Sequence, residues 1–172
     1  MSVHIQNAGL VLTAPFQPRL FESLHMLRHD DDGVTRFVDI PAAIRAMHVL
    51  QYLVDGRQSE AEPPGQWSLN RLLIGLPLEG PIYLQVQLTE HEISMCDELL
   101  KAMIANWTAI STSSVTALRE TFLQRAGTLE SADDRWKLRV QRKTVDVLVD
   151  QIPWSIATIH HPWMLSSLHV TW

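Results

Sequence analysis

Two stretches of the chain place apolar residues at helical spacing between clear capping signals. Thr89 and Glu92 form a capping box, in which each side chain satisfies a free backbone N–H of the other. The helix that they open carries an apolar stripe, which consists of Ile93, Cys96, Leu99, Leu100, Met103, Ile104 and Trp107. A second helix is predicted to start at Pro41 with Asp39 as its N-cap and to end at Gly56.

Shorter elements are predicted around these two helices. Helices are expected from Pro18, from Trp67 to a stop at Gly75, and from Ser113 onward. The apolar run from Ile5 to Ala14 is expected to be a buried strand or extended segment. Residues 57–66 are rich in Gln, Ser, Glu, Pro and Gly, and this composition predicts a mobile loop that folding does not require.

After Gly127 the apolar residues alternate with polar ones, which is typical of strands. The pattern predicts a hairpin, in which Trp136 and Leu138 face inward and Arg135, Lys137 and Arg139 form a solvated face. Two more strands are expected, at Ser155–Ile159 and Leu168–Trp172. The predicted class is therefore α+β. A single domain spans residues 1–172, with a helical part at about 15–126 and a small antiparallel sheet formed largely by residues of about 127–172.

Composition and charge argue against two classes of protein. The net charge of −5 argues against a dedicated nucleic-acid binder, and the longest apolar runs are too short for a membrane helix. The single cysteine, Cys96, excludes an internal disulfide and fits a protein made in the cytoplasm. Only 19% of residues are charged, below the usual ~25%, which indicates surface buried in an oligomer or a larger assembly.

The sequence offers no recognisable catalytic or metal-binding motif. A glycine-rich phosphate loop, a Cys-x-x-Cys pair, a nucleophile elbow and a His-Glu-x-x-His motif are all missing from it. The neighbours His160 and His161 would point to opposite faces of a strand, so at most one could join His169 at a metal. Cys96 lies on an apolar stripe and is expected to be a buried structural thiol. We therefore expect no enzyme activity, metal, cofactor or small-molecule substrate, and a role in packing and docking.

Three tryptophans follow one another at nine-residue spacing: Trp154, Trp163 and Trp172. Trp154 and Trp172 belong to predicted apolar strands, so both are expected in the core. Trp163 lies between Pro162 and Met164 in a predicted turn, where burial is least assured. The segment Pro162, Trp163 and Met164 is therefore the predicted partner-docking site, since large aromatic residues often supply binding hot spots.

Seven sequence blocks follow one another along the chain: Ile5–Leu12 with Pro15-Phe16 and Leu20-Phe21, Arg45-Ala46 with Leu50–Leu53, Leu69–Leu73 with Gly75–Pro77, Thr112-Ser113 with Leu118–Arg125, Asp150–Trp154, Pro162–Met164, and Leu168–Trp172. This ordered set resembles the conserved region of contractile injection system tape measure proteins. The resemblance covers nearly the whole chain. No single block is diagnostic, but their order is specific.

The resemblance implies a non-enzymatic part of a phage-tail-like particle, whose tape measure protein occupies the growing tube and limits its length. A helix of 172 residues would reach only about 260 Å, and nine prolines forbid it. The chain is thus expected to be the anchoring end of the ruler, which docks on baseplate hub, spike or tube-initiator proteins as a homo-oligomer, guessed to be a trimer. It would be cytoplasmic during assembly and then lie inside the tube or baseplate. A generic protein–protein adaptor is the alternative.

Overall fold

A computed structural model describes residues 1–59, 61–82 and 84–172. The first strand, β1 (Ser2–Ile5), leads into a 3-10 helix (Ala8–Phe16), helix α1 (Gln17–Ser23) and a hairpin of β2 (Leu27–His29) and β3 (Thr35–Phe37). The main helices are α2 (Ile40–Asp55), α3 (Ser68–Ile74), α4 (Glu90–Asn106) and α5 (Val115–Leu118). A 3-10 turn (Thr108–Ile110) follows α4, and a π-helical turn (Arg119–Leu123) continues α5. The C-terminal elements are β4 (Gly127–Ala132), β5 (Arg135–Val140), two 3-10 turns (Thr144–Val147 and Val149–Gln151), β6 (Thr158–Ile159) and β7 (Ser167–Thr171).

The predicted caps of the two long helices are confirmed. Thr89 and Glu92 make both bonds of the capping box at the start of α4. Asp39 accepts a hydrogen bond from the backbone N–H of Ala42 at 2.8 Å, and Gly56 ends α2 with a φ of 68°. Cys96 on the α4 stripe is fully buried, and burial raises the pKa of its thiol to about 12. A thiol in this environment is not a nucleophile at neutral pH.

The apolar run near the N-terminus is not the extended segment that was predicted. Only Ser2–Ile5 is a strand, and residues 8–14 are buried as part of a 3-10 helix. A run that is buried on all sides has no amphipathic period, so the sequence cannot separate a strand from a helix there. Gly9 permits the burial, since a Cβ at this position would lie 1.8 Å from the carbonyl oxygen of Phe122.

The fold class is α+β as predicted, but the main sheet is mixed rather than purely antiparallel. Its strand order is β1-β4-β5-β7-β6, and β5 pairs with β7 in parallel. Parallel neighbours need a crossover, which here consists of the two 3-10 turns, β6 and the segment before β7. The strand expected at Ser155–Ile159 is shorter than predicted, and the small β2–β3 hairpin was missed.

One face of the five-stranded sheet covers the helical part and the other faces solvent. Leu129, Leu138 and Leu168 point inward and are buried. The outward face includes Arg135, Lys137 and Arg139, all exposed, which confirms the predicted solvated face.

Buried or partly buried ion pairs attach helices to one another and to a loop. Arg45 of α2 binds Glu92 at 2.6 Å, and Arg71 of α3 binds Glu62 at 2.6 Å. The side chains of Arg71 and Glu62 are 7% and 10% exposed. Glu62 belongs to the segment predicted to be a mobile, dispensable loop. Deletion of this segment would leave the buried guanidinium of Arg71 without the carboxylate of Glu62. The segment therefore takes part in the packing around α3.

A fully buried ion pair joins the helical part to the sheet. Arg125 follows the π-helical turn, and its Nη2 donates to Oδ1 of Asp146 at 2.9 Å, with both side chains 0% exposed. The same guanidinium also donates to the carbonyl oxygens of Gln141 and Thr121. Trp172 donates its Nε1–H to Asp146 at 2.8 Å, and its ring lies against Arg125. Three distant parts of the chain therefore meet at one carboxylate.

Burial alone would raise the pKa of Asp146. The hydrogen bonds from Arg125, from the backbone N–H of Lys143 and from Trp172, together with the charge of Arg125, hold that pKa below its ordinary value. The carboxylate is therefore ionised at neutral pH and balances the buried guanidinium.

We predict that Asp146→Ala lowers the free energy of unfolding by about 3–5 kcal/mol, because it leaves a buried guanidinium without its counter-charge. Urea denaturation at pH 7 measures the change. The matched control is Asp150→Ala, which breaks the surface pair with Arg142 whose side chains are 56% and 44% exposed. This control should cost less than about 1 kcal/mol. Equal losses in the two variants would contradict the role assigned to Asp146.

Candidate partner-docking site

The predicted docking residues lie in the turn between β6 and β7, and the structure buries two of them. Trp163 is 9% exposed and Met164 is 7% exposed, whereas Pro162 lies at the surface. The indole Nε1–H of Trp163 donates to the carbonyl oxygen of Leu73, near the end of α3, at 2.8 Å. The polar atom of this ring is therefore satisfied within the chain, as buried indoles usually are.

Aromatic contacts fix the ring of Trp163 on two further elements. Its centroid lies 5.2 Å from the ring of Phe37 in β3 and 5.9 Å from the ring of Phe21 in α1, both in edge-on geometry. The backbone of Trp163 also lies close to that of Gly75, because a Cβ at Gly75 would lie 2.1 Å from the carbonyl oxygen of Trp163. Gly75 also has a φ of 83°, which glycine adopts without strain. Trp163 thus connects α1, β3 and α3.

His161 is part of the same packed turn. Its Nε2 lies 3.0 Å from Oε1 of Gln17, and Gln17 in turn donates to Oγ1 of Thr13 at 2.9 Å. Burial, with a smaller contribution from His160, lowers the pKa of His161 to about 4. This imidazole is neutral at physiological pH and serves as a packed hydrogen-bonding group.

Trp163 was predicted as a docking residue because it was expected to be exposed, and that expectation is wrong. Proline-flanked turns usually lie at the surface, but this one is drawn inward by Leu73, Phe37 and Gly75. The apolar residues that remain accessible nearby are Pro162, Leu165 and, after Phe37, Val38 and Ile40. Leu165 is 74% exposed, Ile40 65% and Val38 38%. None of these three residues was predicted to dock, although Leu165 is an apolar residue followed directly by two serines.

The other two tryptophans contact the core as predicted, although each is half-buried. Trp154 donates its Nε1–H to the carbonyl oxygen of Leu12 at 3.0 Å, and its ring lies 5.0 Å from Phe16. Trp172 is held by Asp146 and Arg125, as described above. Trp154 therefore binds the C-terminal part of the chain to its N-terminal half, whereas Trp172 binds the end of the chain to Arg125 and Asp146.

The described residues hold few groups that could perform chemistry. Among residues 1–59, 61–82 and 84–172, no three His, Cys, Asp or Glu side chains converge as metal ligands would. An apolar groove of about 460 Å³ lies between α1 and α4, lined by Phe16, Leu20, Met95 and Leu99 with Arg19 and Glu98 at its rim. No helix in the described part has both the length and the apolar character needed to cross a membrane.

Comparison with protein families decides the identity of the chain. Residues 1–172, the whole sequence, match the family described as contractile injection system tape measure protein. The chain belongs to this family. Neither the curated proteins nor the solved structures contain a match to it.

Membership in the tape measure family confirms the resemblance seen in the sequence blocks and places the chain among structural components of contractile injection systems. Several blocks of that resemblance meet in the fold. Asn7, Gln51 and Asn70 each come from a different block, and their carboxamides form a buried network with distances of 2.7 and 2.9 Å from Nδ2 of Asn7. These buried residues therefore serve the packing of the fold.

We predict that Trp163→Ala lowers the free energy of unfolding by about 3–5 kcal/mol, since a buried aromatic side chain is removed from three contacts. Thermal melts monitored by circular dichroism measure the change. The control is Leu165→Ala, which removes a side chain that is 74% exposed and should shift stability by less than about 0.5 kcal/mol. A Trp163→Ala protein as stable as wild type would restore the surface role first assigned to this residue.

We predict a loss of stability in acid that depends on His161. The folded pKa of about 4 lies below the ordinary 6.5, so the unfolded chain binds more protons between these values. The contribution is therefore present above pH 6.5 and is lost as the pH falls toward 4, by on the order of 3 kcal/mol. Urea denaturation at several pH values measures the slope. His161→Gln should give a flatter dependence over this range, and an unchanged slope would contradict the assignment.

Proposed function

We propose that this chain is the anchoring module of a tape measure protein, which docks on baseplate hub, spike or tube-initiator proteins and helps to initiate the tube and set its length. The observation that carries the proposal is the family match over all of residues 1–172, on a fold made of short packed elements. The longest described helix, Glu90–Asn106, is 17 residues long and spans about 25 Å. Packed elements of this size suit attachment better than measurement along a tube.

Docking is assigned to an apolar rim, defined as Val38, Ile40, Pro162 and Leu165. The contact between Phe37 and Trp163 supports this grouping, since Val38 directly follows Phe37 and Pro162 directly precedes Trp163 in the chain. Exposed apolar side chains around a rigid base are typical of protein interfaces. The buried Trp163 packs beneath the rim. Docking is therefore still proposed at the segment around Trp163, but through the exposed Pro162 and Leu165 instead of Trp163 and Met164.

The proposed partners are other proteins of the particle, and the role requires no catalysis. The module would act in the cytoplasm while the particle assembles and would then remain inside the tube or baseplate. The family match gives the alternative of an unrelated adaptor no support.

We predict that Leu165→Asp combined with Ile40→Asp leaves the protein folded and reduces assembly. Two charges on the rim would have to be desolvated in the interface, whereas the free protein keeps them in water. The measurement is the number and length distribution of tubes in electron micrographs of particles produced with the variant gene. Circular dichroism verifies the fold.

The control is Val147→Asp, which changes an apolar side chain that is 55% exposed in the 3-10 turn Thr144–Val147, outside the rim. Particles made with this control should match wild type. Normal particle numbers and tube lengths with the rim variant would refute the docking assignment.

A further inference from the structure

One edge of the main sheet lacks the protection that the other described strand edges have. In the order β1-β4-β5-β7-β6, the two edges are β1 and β6. The strand β6 has only two residues, and in the β2–β3 hairpin Arg28 lies directly opposite Arg36. Short length and charged side chains are common ways to prevent an edge from pairing with another chain. The strand β1 reads Ser2-Val3-His4-Ile5 and has four residues without Lys, Arg, Asp, Glu or Pro.

The register of β1 against β4 shows which backbone groups are free. Ser131 donates its backbone N–H to the carbonyl oxygen of Met1 at 3.1 Å, and the register continues with Val3 opposite Leu129. Hydrogen-bonded and non-bonded positions alternate along an antiparallel pair. Met1, Val3 and Ile5 therefore direct their backbone groups at β4, while Ser2 and His4 direct theirs outward. Both outward residues are exposed.

We propose that this edge pairs with the same edge of a second copy of the chain. A two-fold axis through Val3 places Ser2 opposite His4 of the second copy, and His4 opposite its Ser2. Each of these two pairs exchanges two backbone hydrogen bonds, so all four outward groups of each copy are used. Two-fold pairing is the commonest symmetry of homo-oligomers because the same patch serves both partners.

The side chains at this register are self-complementary. On the solvent side, Ser2 meets a histidine, and neither residue has a carboxylate or an ammonium side chain. On the core side, the half-buried Val3 meets its own copy at the axis. Met1, which is 61% exposed, comes opposite Ile5 of the second copy and gains an apolar neighbour. Directly opposed side chains in a sheet lie close enough for each of these contacts.

The first measurement is sedimentation velocity on wild-type protein from about 10 to about 500 µM. We expect a monomer–dimer equilibrium with a dissociation constant on the order of 10–100 µM, because a single strand pair buries less than a standard interface. A protein that stays monomeric throughout this range would overturn the proposal. A trimer, the oligomer expected from the resemblance, would overturn it too, since a two-fold edge closes at two copies.

The decisive variant is His4→Pro. Proline removes the outward N–H of each copy and therefore two of the four intermolecular bonds, while the bonds from β1 to β4 remain. The dissociation constant should rise at least about tenfold. His4→Thr keeps the N–H and should dimerise like wild type. A dimer that tolerates His4→Pro without weakening would overturn the proposed pairing.

A pair of charge variants tests the register without touching the backbone, and decides the question if His4→Pro does not fold. Ser2→Lys with His4→Lys places like charges opposite each other across the axis. This variant should show no dimer even at about 500 µM, the highest concentration of the sedimentation experiment. Ser2→Lys with His4→Glu places opposite charges there and should restore it. In the single copy, position 2 faces Glu130, so Ser2→Lys is compatible with folding. Equal association of the two double variants would overturn the register.

Discussion

The buried carboxylate of Asp146 is the constraint on which the architecture depends. A guanidinium from the end of the helical part, a backbone N–H from the crossover and an indole from the end of the chain all point at it. A buried ion pair is costly unless most of its other donors and acceptors are satisfied as well. The two terminal nitrogens of Arg125 donate to two backbone carbonyls besides Asp146, whereas its buried Nε has no partner among the described residues. The sheet and the helices are therefore held in one orientation by directional bonds in addition to apolar contact.

Arginine repeats this task at other places in the fold. Arg45, Arg71 and Arg119 reach from helices or helical turns to the backbone carbonyls and carboxylates of other segments, and Arg119 contacts the carbonyl of Leu53 and the carboxylate of Asp97. A planar guanidinium can bind several acceptors at once, which lysine cannot do in the same geometry. These bonds attach Glu62, Pro77 and Gln87, which lie in the connections before α3 and α4, to the helices.

The elements that could be predicted from the sequence are those whose signal is local. The capping box at Thr89, the N-cap at Asp39 and the alternation around Leu138 each follow from neighbouring residues, and each is confirmed. The 3-10 segment after Asn7 and the parallel pairing of β7 depend on distant partners, so periodicity could not identify them. The same reason accounts for Trp163, whose burial requires the carbonyl of Leu73 and the glycine at position 75. The expected exposure of Trp163 was wrong for this reason, and docking at this segment stays a prediction.

The pairing of β1 with β4 has a consequence for how the chain folds as it is made. Ser2 pairs with Glu130, so the first strand leaves the ribosome long before its neighbour exists. Contacts of such wide sequence separation form late and slow folding. During synthesis, the apolar segment that follows β1 has no sheet to cover it, and exposed segments of this kind bind chaperones or aggregate. The helices from Ile40 to Asn106 can pack earlier, which would give the nascent chain a folded centre before its two ends are joined.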